Sequence, residues 1–201
     1  MNSQTERLMV DGPAGAIECA LDRPAGEPVG VMVVCHPHPQ HGGTMDNKVV
    51  QTLARAGLAL GMRTVRFNYR GVGASAGAYG EGVGEVEDAL AVIAAQRDPS
   101  QTFALAGFSF GGMVAATAAS RLETAPQRLA LVAPSTVNFS VPPVAPDTLL
   151  IHGEADDVVP LSASLDWARP QNLPVVVLPG VGHFFHGQLA LLKQIVVQAW
   201  R

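Results

Sequence analysis

Residues 102–122 read Thr-Phe-Ala-Leu-Ala-Gly-Phe-Ser-Phe-Gly-Gly-Met-Val-Ala-Ala-Thr-Ala-Ala-Ser-Arg-Leu. The first five, 102–106, form a short apolar run without strict polar alternation, the pattern of a buried parallel strand. Residues 113–122 are rich in alanine, the strongest helix former. Between them stands Gly107-Phe108-Ser109-Phe110-Gly111-Gly112. A G-x-S-x-G stretch between strand and helix marks a turn so sharp that the serine is held in a strained backbone conformation. Side chains two residues to either side would collide, so glycine is required there. Such a turn lifts the Ser109 hydroxyl above the sheet and sets the Phe110 N–H at a helix N-terminus, where it can meet a developing oxyanion. The plainer reading is a glycine-rich turn with an incidental serine. The flanking strand and helix favour a nucleophile.

Outward from this turn the same alternation continues. Further apolar runs occupy residues 8–10, 16–21, 29–35, 63–67, 128–132, 148–151 and 174–178. Helical spacing links Val49, Leu53, Ala56 and Leu60, then Val86, Ala89, Leu90 and Ile93, and finally Leu189, Leu192, Val196 and Ala199. Strands alternating with helices predict βαβ units, hence a parallel sheet covered on both faces. No helical run separates the first two strands, so an antiparallel hairpin through Asp11-Gly12-Pro13 is expected. The expectation is one α/β domain over residues 1–201, with a mostly parallel sheet of eight strands. In such sheets, sites form at the carboxyl ends of the strands.

Composition agrees with one globular domain that has a real core. Of 201 residues, 48% are apolar and 15% charged, with a net charge of -4. That balance is the reverse of a disordered or nucleic-acid-coating chain, and no lysine- or arginine-rich run argues for a nucleic acid or an anionic membrane. Cys19 and Cys35 lie in strand-like runs and read as buried thiols. The first residues lack a basic stretch followed by an apolar core, and no window reaches the ~18 apolar residues of a membrane span. A cytoplasmic protein is expected, and a homodimer is the assembly left open.

Two further loops follow strands. After 174–178 comes Pro179-Gly180-Val181-Gly182-His183-Phe184-Phe185-His186-Gly187. His183 follows the strand most directly, behind glycines, and is the candidate general base. His186 is expected near the start of the last helix, as a structural group or as one that supports the catalytic residues from behind. After 148–151 comes His152-Gly153-Glu154-Ala155-Asp156-Asp157-Val158-Val159-Pro160. A base needs a carboxylate to fix its tautomer, and Glu154, Asp156 and Asp157 all compete. Spacing alone does not choose among them, but the order serine, acid, histidine is the order of this arrangement.

Together these residues resemble the α/β-hydrolase superfamily over nearly the whole chain. Its acid loop often reads His-Gly-x-x-Asp-x-x-Val-Pro, which here falls on His152, Gly153, Asp156, Val159 and Pro160 and implies Asp156 as the acid, with Asp157 next. Two segments resemble a group of small, capless bacterial serine hydrolases: Cys35-His36-Pro37-His38-Pro39-Gln40-His41-Gly42-Gly43-Thr44-Met45-Asp46-Asn47-Lys48 and Arg66-Phe67-Asn68-Tyr69-Arg70-Gly71-Val72-Gly73-Ala74-Ser75. The first stands where relatives carry a His-Gly-x oxyanion loop. Pro37 replaces the glycine and has no N–H, so the resemblance implies the His38 N–H as the second oxyanion donor beside that of Phe110.

Other readings of these segments are weaker. His36, His38 and His41 resemble metal ligands, but no acid or cysteine with ligand spacing accompanies them. Gly71-Val72-Gly73-Ala74-Ser75-Ala76 fits a dinucleotide-binding variant, yet it follows the fourth strand and the next helix starts only near Glu85. No metal, nicotinamide or flavin is expected, and the segment should form a tight turn near the pocket mouth. Arg70 reads as a structural ion pair or as a contact for a substrate carboxylate. Phe184, Pro37 and Arg70 are the candidate pocket residues. Phe108 and Phe185 read equally well as core.

The expected chemistry is hydrolysis of a small-molecule carboxylic ester through an acyl-enzyme. Residues 133–148, a short proline-rich connection, leave little room for a lid, so small or exposed acyl groups are expected. The same groups would serve a thioesterase or a small peptidase. A non-catalytic binding module on the same scaffold is the reading from a different class.

Overall fold

The structure, a computed structural model, describes residues 5–201. Eight strands form one sheet: β1 (Glu6–Gly12), β2 (Gly15–Asp22), β3 (Gly30–Cys35), β4 (Arg63–Phe67), β5 (Thr102–Phe108), β6 (Arg128–Val132), β7 (Leu149–Gly153) and β8 (Val175–Leu178). Five helices cover it: α1 (Lys48–Ala59), α2 (Val83–Gln96), α3 (Phe110–Arg121), α4 (Leu161–Ala168) and α5 (Leu189–Ala199). The spatial order is β1-β2-β4-β3-β5-β6-β7-β8. β1 pairs antiparallel with β2, and β2 with β4, whereas all remaining pairs are parallel.

Burial explains the sequence pattern. In β3, Val31, Val33 and Cys35 face one side, with α2, α3 and α4, while Met32 and Val34 face the other, with α1 and α5. β5 repeats this with Phe103 and Leu105 against Ala104, Ala106 and Phe108. A strand whose two faces are both buried cannot alternate with polar residues, hence the unbroken apolar runs. Cys19 and Cys35 are free and buried, and burial pushes each thiol up to about 12.

Three expectations change. The first hairpin turns at Pro13-Ala14, because Gly12 still pairs with Gly15, whose φ is 110°. Helix α3 starts at Phe110, three residues before its alanine-rich stretch. Helix α4 has no counterpart in the sequence reading. It is one of the shortest helices, with only Ser164 and Ala168 buried, so it writes almost no apolar stripe. Between β6 and β7, residues 133–148 contain neither helix nor strand. No helix among the described residues is long and apolar enough to cross a membrane.

Candidate active site

The turn between β5 and α3 has the strain its sequence implies. Ser109 sits at φ 58°, ψ -120°, a region that costs a side-chain-bearing residue free energy. The neighbours hold it there. The Ser109 N–H donates to the Val132 carbonyl, and the Ser109 carbonyl accepts from Gly112, Met113 and Ser135. A methyl group on Gly107 would lie 1.9 Å from the Gly111 carbonyl oxygen. One on Gly111 would lie 2.3 Å from the Cys35 oxygen and 2.5 Å from that of His36. Glycine is therefore a packing requirement here, and it sets the first turn of α3 directly against the loop that leaves β3.

Two more loops converge on this turn. Ser109 Oγ lies 3.0 Å from His183 Nε2, and His183 Nδ1 lies 2.7 Å from Asp156 Oδ2. Each group is satisfied when Nδ1–H donates to the carboxylate and Nε2 accepts from the serine hydroxyl. Asp156 Oδ1 accepts from the Val158 and Val159 N–H groups at 2.9 and 2.8 Å. Burial alone would raise the Asp156 pKa. Hydrogen bonds from His152, His183 and the Val159 N–H outweigh it and hold the carboxyl well below the usual range. Of the three competing acids, the structure places Asp156 on the imidazole. Glu154 instead accepts the Gly180 N–H at 2.8 Å, joining the acid loop to the histidine loop, while Asp157 is exposed.

His152 is a residue that sequence reasoning used only as a motif letter. Its ring is fully buried, with Nε2 2.8 Å from the Val159 carbonyl and 3.4 Å from Asp156 Oδ2. It thereby braces the loop that carries the acid. Its signal was its place at the head of the His-Gly-x-x-Asp stretch.

The loop after β3 is rigid for reasons written in its residues. Prolines 37 and 39 restrict φ on both sides of His38. The His36 ring is buried, its Nδ1–H donating to the Pro37 carbonyl at 2.7 Å and its Nε2 accepting the Tyr69 N–H at 3.2 Å. Burial pushes its pKa down to about 3. His38 Nδ1 accepts the Gln40 N–H at 3.2 Å, Nε2 faces the Tyr79 hydroxyl at 3.2 Å, and the ring packs 4.8 Å from that of Phe110. The His38 pKa is lowered by burial and by neighbouring His41, whose ring stacks on it at 4.5 Å. Among the described residues, no group of three or more histidines, cysteines or acids could hold a metal ion.

The remaining candidates separate clearly. Arg70 shows the ion-pair reading: Nη2 lies 2.8 Å from Asp88 Oδ1, Nε also meets that carboxylate, and Gly84 packs against the guanidinium. As a pocket residue it is corrected, since its fork is already occupied. Residues 71–76 do not border the groove beside His183. They dock on β2, with Ser75 Oγ accepting the Glu18 N–H and Ala76 donating to Ala16. Phe185 is fully buried in the core, and Phe108 is buried beneath the His183 ring at 4.9 Å. Phe184 is 46% exposed and stands edge-on to His183 at 5.1 Å. His186 is exposed and precedes α5.

Known proteins share this arrangement of strands and turns. A family model described as serine aminopeptidase, S33, matches residues 26–146. XC6422 from Xanthomonas campestris, described as an a/b serine hydrolase without lid, is 39% identical. That alignment covers 99% of this chain and 94% of that one, with a TM-score of 0.88. The chain belongs to the α/β serine hydrolase family. An alpha-beta serine hydrolase homologue from Coxiella burnetii is 41% identical to the hydrolase, covering 98% and 97% of the two chains with a TM-score of 0.88. Uncharacterized protein RP471 of Rickettsia prowazekii is 31% identical over 195 residues, 89% of the hydrolase and 82% of that protein. The hydrolase is of the lidless type, with only the irregular connection 133–148 where a lid would be inserted.

Proposed function

We propose that this serine hydrolase cleaves carboxylic esters of small or exposed acyl groups through a covalent acyl-enzyme, with Ser109, His183 and Asp156 as its triad. The observation that carries the proposal is the unbroken chain of contacts from Ser109 Oγ through His183 to Asp156, at 3.0 and 2.7 Å.

His183 takes the Ser109 proton as Oγ attacks the acyl carbon, and the carbonyl oxygen becomes an oxyanion. The Phe110 N–H at the start of α3 is one donor for that charge, and the His38 N–H in the loop packed on it is the other. The imidazolium, stabilised by Asp156, then protonates the leaving alkoxide as the acyl carbon–oxygen bond breaks. Water, deprotonated by His183, attacks the Ser109 ester and releases the acid. Every proton moves through His183 Nε2, and no cofactor enters the scheme. The absence of a lid supports short or exposed acyl groups. The substrate is a small molecule, and Pro37 and Phe184 border its site.

A panel of p-nitrophenyl esters, acyl-CoAs and aminoacyl anilides tests the assignment. The expected result is kcat/KM highest for acetyl to hexanoyl p-nitrophenyl esters and falling for longer chains. Faster turnover of the acyl-CoAs would make the protein a thioesterase. Faster turnover of the anilides would make it a peptidase, the reading favoured by the description of the matching family model.

A further inference from the structure

A groove of about 500 Å³ opens beside the imidazole, between the acid loop and the histidine loop. His183 lines it, with Asp157, Val158, Phe184, His186 and Gln188. Its apolar wall is built from side chains that a globule would ordinarily hide, Phe184 at 46% and Val158 at 52% exposure. Its charge is the Asp157 carboxylate, which is exposed and has no ion-pair partner among the described residues. Asp156, one residue earlier, is spent on His183 and on two backbone N–H groups. Asp157 is therefore free to meet a ligand.

We propose that this groove is a leaving-group subsite selective for alcohols that carry a positive charge, such as amino alcohols and quaternary ammonium alcohols. The inference rests on the hydrolase reading above. His183 Nε2 must deliver its proton to the leaving oxygen, so the alcohol half of the ester departs against the loop that holds the imidazole. A cation on that alcohol meets a half-exposed aromatic ring and a carboxylate without an ion-pair partner among the described residues. An aromatic face attracts a cation through its quadrupole, and a carboxylate adds a salt-sensitive Coulombic attraction. A neutral alcohol of the same shape gains only the apolar contact.

The test compares acetylcholine with 3,3-dimethylbutyl acetate, in which carbon replaces the charged nitrogen. The wild-type ratio of kcat/KM, cationic over neutral, is expected to be about tenfold at low ionic strength and to shrink as salt is added. Asp157→Asn lowers that ratio to about threefold, and Phe184→Leu lowers it as well. A wild-type ratio of one or less, or a ratio that Asp157→Asn leaves unchanged, overturns the proposal. A second measurement covers the case in which neither ester is turned over. Choline, but not 3,3-dimethylbutanol, should slow phosphonylation of the protein by a fluorophosphonate, and equal protection by the two alcohols also overturns the subsite. Failure of the hydrolase reading itself looks different: no phosphonylation of Ser109 occurs at all.

Discussion

Asp156 is the residue that sets the tautomer of His183. Its Oδ2 fixes hydrogen on His183 Nδ1, leaving Nε2 free to accept from Ser109. Asp156→Asn keeps the backbone bonds to Val158 and Val159 through the remaining oxygen. Its amide nitrogen then faces the imidazole and forces the other tautomer. Activity is expected to fall on the order of 10³- to 10⁴-fold while the circular dichroism spectrum is unchanged. An amide variant with near-normal turnover would remove Asp156 from the triad. In the sequence, Ser109 was legible because it stands alone in a glycine-rich loop after a strand, and His183 because it follows its strand more directly than His186 does. Asp156 was not, since Glu154 and Asp157 carry the same chemistry within two residues. Three-dimensional contacts separate them: only one carboxylate of the three reaches the ring, and one of the others is taken by Gly180.

At the scale of elements, the loop after β3 is tied to the end of β4 by one buried ring. His36 joins Pro37 to Tyr69, and its pKa is pushed from near 6.5 to about 3 by burial. Below pH 6.5 the unfolded chain binds a proton that the folded chain refuses until near pH 3. The resulting stability is complete above 6.5 and is lost progressively as the pH falls toward 3. Between pH 7.5 and pH 5 the loss from this ring alone is about 2 kcal/mol. His36→Gln removes the titration, so its urea-unfolding free energy should drop about 2 kcal/mol less over that interval than the wild type's. Equal slopes would mean that the ring is solvated in solution. Most strands and the long helices were readable, since double-sided burial and the 3.6-residue stripe leave direct marks. The start of α3 was not. Gly111 and Gly112 read as loop by propensity, whereas packing against the β3 loop and Pro134 demands them inside the helix.

For the whole molecule, the consequence of the fold is openness. The connection between β6 and β7 carries no lid, so nothing needs to move aside at an oil–water interface. Hydrolysis of a short-chain triglyceride such as tributyrin should rise hyperbolically with concentration and show no jump at the solubility limit. A jump of tenfold or more there would reveal a covering segment. The five parallel crossovers leave the carboxyl ends of β3, β5, β7 and β8 on the same side of the sheet, with only β6 between β5 and β7, which brings residues 38, 109, 156 and 183 to one rim. The chemistry depends on that convergence. Peptide mapping by mass spectrometry after treatment with a fluorophosphonate tests it most directly. A single adduct on Ser109, formed at least about 100-fold more slowly in His183→Ala, is the expected result. An adduct on another residue, or an unchanged rate in His183→Ala, would contradict it.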